Sequence, residues 1–111
     1  MADKVIRWLG SSLDDIRAFP EQARRAAGYQ LSRVQQGLMP NDWKPMKAVG
    51  AGVYEIRIHT GTEHRIFYVA KYDDAIYVLH AFEKRTRQTR QADINLARQR
   101  LAEFLESRRQ R

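Results

Sequence analysis

Glu55 and Arg57 stand two residues apart in the run Val53 to Thr60, and period-two alternation places both on one face of a strand. Arg65 begins the next run of β-formers, and Lys84 with Arg85 follows the third. The connecting turns are short and force neighbouring antiparallel strands, so these groups converge on one patch. Such a patch suits a phosphodiester. RNA carries its own nucleophile, the 2′-OH, so cleavage needs a base to take its proton, cations to stabilise the charged phosphorane and an acid for the 5′ oxygen. Arg57, Arg65 and Lys84 are the candidate cations. Glu55 or His80 is the candidate proton acceptor, and a Lys84 amine depressed by surrounding positive charge could also serve. Lys44 and Lys47 before the first run, and Phe82, Arg85, Arg87 and Arg90 around the end of the third, add phosphate-binding and base-stacking capacity. Phe82 is equally suited to a core. Each cation alone reads as a surface charge; their convergence singles them out.

Other chemistries find little support. The chain has no cysteine, which removes thiol nucleophiles, cysteine zinc sites and disulfide scaffolds together. His59, His64 and His80 lack H-x-x-x-H spacing or an adjacent carboxylate set, so neither a metal site nor a cofactor is expected. His59 and His64 flank one turn and are expected to be solvated. Gly50-Ala51-Gly52 precedes a strand and has no following G-K-[ST], and no Ser sits in a G-x-S-x-G context.

The elements that must position these groups fit in one domain. A chain of 111 residues with 43% hydrophobic residues supports a single core. Val5 to Leu9 is a short apolar stretch that can start a sheet. Ser12 with Asp15 reads as a capping box opening a helix through Phe19. Pro20 starts a second helix, in which Ala23, Ala26, Ala27, Leu31, Val34 and Leu38 recur at helical spacing, ended by Gly37 and Pro40. Asn41 to Gly52 is expected to be loop. Three strands follow, Val53 to Thr60, His64 to Tyr72 and Ala75 to Phe82, with Tyr54, Ile56 and Ile58 facing the core and the Glu55 side facing solvent. A last helix carries Ile94, Ala97, Leu101, Phe104 and Leu105 as one stripe. The expected architecture is α+β: an N-terminal helical hairpin on a small, mainly antiparallel sheet, with a C-terminal helix.

Charge is unevenly spread over that plan. The net charge is +7; residues 1–83 carry 11 basic and 10 acidic side chains, and residues 84–111 carry 9 and 3. Fifteen of the 20 cations are Arg, whose planar fork suits phosphate, so a polyanionic partner is expected. Arg108, Arg109 and Arg111 fall where cations also complement a helix C-terminus. No apolar run approaches the roughly 18 to 20 residues of a membrane span, and the first residues lack a signal peptide's apolar stretch. A cytoplasmic protein without membrane contact is the expectation.

The segments KPMKAVGAGVYEIRI, HRIFYV and IYVLHAFEKRT, preceded by WLGSSLDDIRAFP and QLSRVQQGL, resemble the phage-derived HigB-like branch of the RelE/ParE toxin superfamily over nearly the whole chain. The resemblance implies a microbial-ribonuclease-like fold and, as in RelE and HigB members, metal-independent cleavage of mRNA on the ribosome. It also implies a cognate antitoxin, in HigB systems a helix-turn-helix protein. By motif, Arg57 matches the basic residue of the Tyr-x-x-basic strand, Arg65 the Arg opening the next strand, and Lys84 the cation after the last. Glu55, however, stands where RelE has a lysine, and no Tyr follows Tyr77 to match the late RelE tyrosine. Two other classes fit the same features: a ParE-like noncatalytic inhibitor of DNA gyrase, and a noncatalytic basic nucleic-acid-binding module.

Overall fold

The computed structural model describes residues 3–110; Arg111 lies outside them. The elements are β1 (Val5–Trp8), α1 (Ser12–Arg17), α2 (Glu21–Gln35), β2 (Trp43–Pro45), β3 (Val53–His59), β4 (Glu63–Val69), β5 (Ala75–Glu83) and α3 (Gln91–Arg109). They form an α+β fold around one five-stranded sheet of order β1-β5-β4-β3-β2, in which β1 runs parallel to β5 and the other pairs are antiparallel. The apolar stretch at Val5 is therefore a sheet edge that precedes the helices. The 41–52 segment also departs from expectation: Trp43–Pro45 pairs with Tyr54–Ile56 as the opposite edge strand. Breakers keep it to three residues, short enough to hide its pattern in the sequence.

Helices cover both faces. On one, Ala23, Ala27, Leu31 and Val34 of α2, with Ile16 and Phe19, pack on Ile56, Ile58, Ile66, Ile76 and Val78. Alanines at the contact let the helix lie close to the sheet. The first helix begins one residue early: Ser12 is buried and donates its hydroxyl to the Val78 carbonyl at 3.2 Å, while the Ser11 hydroxyl donates to Asp15 at 2.8 Å. On the other face, Ala97, Leu101 and Phe104 of α3 close over Val53, Phe67, Val69, Tyr77 and Leu79. Leu38 and Leu105, expected on apolar stripes, are exposed.

Two local features decide where functional side chains end up. Gly61, at φ +90°, makes the tight β3–β4 turn, a conformation that a side chain would strain. In β5 the register slips, with Phe67 opposite His80 but Tyr68 opposite Val78. Leu79 is left without a partner, and this bulge turns His80 toward the α3 face instead of the α2 face.

Candidate active site

The α3 helix covers only part of its sheet face. Beyond its N-terminus, the pairing builds two rows of side chains: Lys44, Glu55, Phe67 and His80, then Arg57, Arg65 and Phe82. Cations from three strands and the end of a fourth thus surround one carboxylate. Lys44 Nζ lies 4.0 Å, Arg57 Nε 3.7 Å and Arg65 Nε 3.8 Å from the same oxygen, Glu55 Oε1. These are charge contacts, not hydrogen bonds. Both Glu55 oxygens and the Nε atoms of Arg57 and Arg65 are buried without a hydrogen-bond partner.

Glu55 is 1% exposed and Arg65 3%, which corrects the expectation of a solvent-facing strand side. Long cationic side chains roof the carboxylate where α3 does not. Burial pushes the Glu55 carboxyl above its ordinary value, against the pull of Lys44, Arg65, Arg57 and Lys84. Lys84 is pushed the other way. Desolvation first, then Arg65, with Lys44 and Arg57 adding, hold its ammonium below the usual lysine range despite Glu55. A carboxyl raised and an amine lowered in one site both move toward neutral pH, where a general base and a general acid work best.

Around this centre stand residues that sequence reasoning had not assigned. Arg65 donates to Glu63 at 3.1 Å and to the His64 carbonyl at 3.0 Å. Glu63 in turn meets His59 Nδ1 at 2.7 Å, and His59 Nε2 meets Asp42 at 2.6 Å. The bonds to Asp42 and then Glu63 raise the His59 pKa, and the bond to His59 lowers that of Glu63. The chain Asp42–His59–Glu63–Arg65 therefore fixes the Arg65 guanidinium from behind. Its only sequence signal was a His and a Glu at either end of a glycine turn.

The other candidates divide. His80 is buried, and its Nε2 meets Asp93 Oδ1 at 2.8 Å in the first turn of α3. It sits across Phe67 from Glu55, two strands and roughly 9.5 Å of sheet away. Phe82 is in the core, edge-on to Phe67 and stacked on His80, so its ring is not presented for base stacking. His64, expected in solvent, is buried and packs against Phe19 with ring centroids 4.3 Å apart. Lys47 lines a separate depression with Gly50, Gly52 and Tyr54. Arg85, Arg87 and Arg90 are exposed on the loop leading to α3, where Arg85 pairs with Glu83 and Arg90 approaches Asp93. Arg108 is less available than its position implied: it lies 4.0 Å over the Tyr72 ring and donates to the Tyr77 hydroxyl at 3.1 Å. Among the described residues, no group of three or more His, Asp or Glu is placed to hold a metal ion, and no helix is long and apolar enough to cross a membrane.

A family model described as phage derived protein Gp49-like (DUF891) matches residues 14–102. The chain belongs to the Gp49-like family. A search of curated proteins finds no match. The Gp49-like family is toxin-like, of the RelE/HigB type, and a toxin of this kind implies a cognate antitoxin. The matched span holds Lys44, Glu55, Arg57, Arg65 and Lys84 and omits β1 and the last turns of α3. The Gp49-like segment is thus the part of the fold that builds the carboxylate-and-cation centre.

Proposed function

We propose that this Gp49-like protein is the HigB-like toxin of a type II toxin–antitoxin system and cleaves translated mRNA at the ribosome without a metal. The observation that carries the reading is the buried, unbonded Glu55 carboxylate ringed by Lys44, Arg57 and Arg65, with Lys84 in its field. An RNA phosphate drawn to these cations brings the neighbouring 2′-OH to Glu55. Glu55 takes the hydroxyl proton; the 2′ oxygen attacks phosphorus; Arg57 and Arg65 hold the charge that grows on the phosphorane oxygens. The P–O5′ bond then breaks, Lys84 gives its proton to the departing 5′ oxygen, and a 2′,3′-cyclic phosphate remains. Of the proton acceptors open at the outset, Glu55 is preferred because His80 is committed to Asp93 and lies beyond Phe67. Arg85, Arg87 and Arg90 contribute sequence-independent RNA attraction. A helix-turn-helix antitoxin is the proposed neutralising partner, and the cytoplasm, where translated mRNA lies, the proposed location.

The test is expression of the chain followed by primer extension on cellular mRNA. Cuts within translated messages, absent when ribosomes are withheld, are expected. Growth arrest with intact mRNA and gyrase-linked DNA breaks would replace this reading with the ParE-like one.

A further inference from the structure

The rim where β4 begins and β5 ends has two sides. Arg65 and Lys84 point to the α3 face, while their immediate neighbours His64 and Glu83, paired across the two strands, belong to the opposite face. There a depression of about 340 Å³ is lined by Asp15, Phe19, His64 and Glu83 and reaches round β5 to His80 and Phe82 of the α3 face. His64 is 1% exposed, and its Nδ1 has no hydrogen-bond partner. Nothing in the cleavage chemistry uses these groups.

We propose that this depression binds a guanine base of the RNA whose phosphate lies at Glu55, and so determines where the chain cuts; the inference rests on the ribonuclease reading. Ionised carboxylates accept hydrogen bonds only. Asp15 holds the Ser11 hydroxyl on Oδ2, and Glu83 holds Arg85 on Oε2, leaving the other oxygen of each for a ligand. Among RNA bases, guanine alone offers two adjacent donors, N1–H and N2–H₂, with no acceptor between them, along the edge that would face the free oxygens of these acceptor-only carboxylates. Uracil presents one donor between two acceptors, and adenine and cytosine each place an acceptor beside their amino group. Phe19, packed on the His64 ring, forms the apolar wall of the depression against which the edge of a base would rest. Desolvation lowers the His64 pKa, so the imidazole enters neutral and has one N–H to offer the guanine O6 or N7. An acidic pocket on a +7 chain repels phosphate and admits a base edge. Because pocket and cations occupy consecutive residues of the same two strands, an RNA strand crossing the rim reaches both.

Two measurements on the full chain test this. In the first, GMP, AMP, CMP and UMP are titrated separately while the His64 and Phe19 ring resonances are followed by NMR. GMP should shift both at concentrations roughly tenfold or more below the other three, and Glu83→Gln should reduce that preference by roughly tenfold to a hundredfold. Asp15→Asn is the second variant, and thermal midpoints establish that each is folded. In the second, ribosomes carry messages that differ only in the bases flanking a cut site, and cleavage should track guanine. Equal titration by all four nucleotides, or no shift at His64, overturns the pocket. Cleavage without base preference overturns it while sparing the nuclease; guanine binding without cleavage does the reverse.

Discussion

Toward α3, one sheet face buries Phe67, Val69, Tyr77 and Leu79 against Leu101 and Phe104; toward the β4–β5 rim the same face buries Glu55 and Arg65 among other cations. The two halves share strands and register and differ in what satisfies them. In the covered half, apolar contact suffices. In the rim half, buried side-chain atoms of Glu55, Arg57, Arg65, His80 and Asp93 lack partners, and among the described residues the one other such atom is His64 Nδ1 on the opposite face. Each unmet group costs roughly 1–3 kcal/mol, a cost that a longer cover from α3 and an apolar rim would avoid. The helix stops short, and the two orphaned guanidinium donors, Nε of Arg57 and of Arg65, sit side by side where a phosphate oxygen can accept from them. Such clustering is what distinguishes a binding site from a flaw in packing.

The comparison breaks first at Glu55. Glu55→Gln preserves shape and removes the base, so single-turnover cleavage of ribosome-bound mRNA should slow roughly 10²- to 10⁴-fold while the thermal midpoint changes little. An unchanged rate would move the base elsewhere. Phe104→Ala is its mirror image in the covered half. Truncating this 7% exposed ring should cost about 3–5 kcal/mol of stability, read from urea unfolding, with the cleavage rate per folded molecule unaltered. A lower rate in the folded fraction would mean that the two halves are coupled through α3.

The two halves were unequally legible in the sequence. Alternation in the three long strands and the Ala97, Leu101, Phe104 stripe exposed the covered half, because burial of apolar side chains imposes a period. The convergence of Glu55, Arg57, Arg65 and Lys84 was also readable, since short turns leave little freedom of register. Their burial was not. Charged residues on one strand face look solvated in the sequence, and only pairing reveals that Arg57 and Arg65 roof Glu55. The side of the sheet that His80 takes was hidden for another reason: the Leu79 bulge shifts the phase of β5, and no Gly or Pro marks it. Asp93, 13 residues further on and in a different element, had no sequence link to His80 at all. The edge strand β2 was missed because three residues carry no period.

A smaller effect than Phe104→Ala is expected at Arg65, whose loss removes one charge stabiliser of the phosphorane. Arg65→Ala should slow bound-state cleavage by roughly 10²- to 10³-fold. If the Asp42–His59–Glu63 chain sets the aim of this guanidinium, Glu63→Gln should lower the same rate by a fraction of that loss in a single-turnover assay, without weakening RNA binding equally. Parallel losses in rate and affinity would make Glu63 a contributor to binding alone.

The smallest effect has opposite signs in stability and activity, which makes it the sharpest probe of the rim. The folded-state pKa of Lys84 is depressed, by desolvation first and then by Arg65, so its charge opposes folding wherever it is protonated in both states. That cost is present below the folded pKa and fades as pH rises through it toward the unfolded value. Lys84→Met should therefore raise the thermal midpoint at neutral pH by a few degrees at most, since the side chain is partly exposed and screened, and the gain should vanish in alkaline solution. Cleavage by the same variant should fall, because the proton for the 5′ oxygen is gone. In the wild-type chain, the rate should rise with pH through a limb above the ordinary glutamate value, as Glu55 ionises, and fall through one below the ordinary lysine value. Lys84→Met should abolish the second limb and leave the first. A variant that lost both stability and rate would show that Lys84 supports the fold, and the division between a covered half built for stability and a rim built against it would fail.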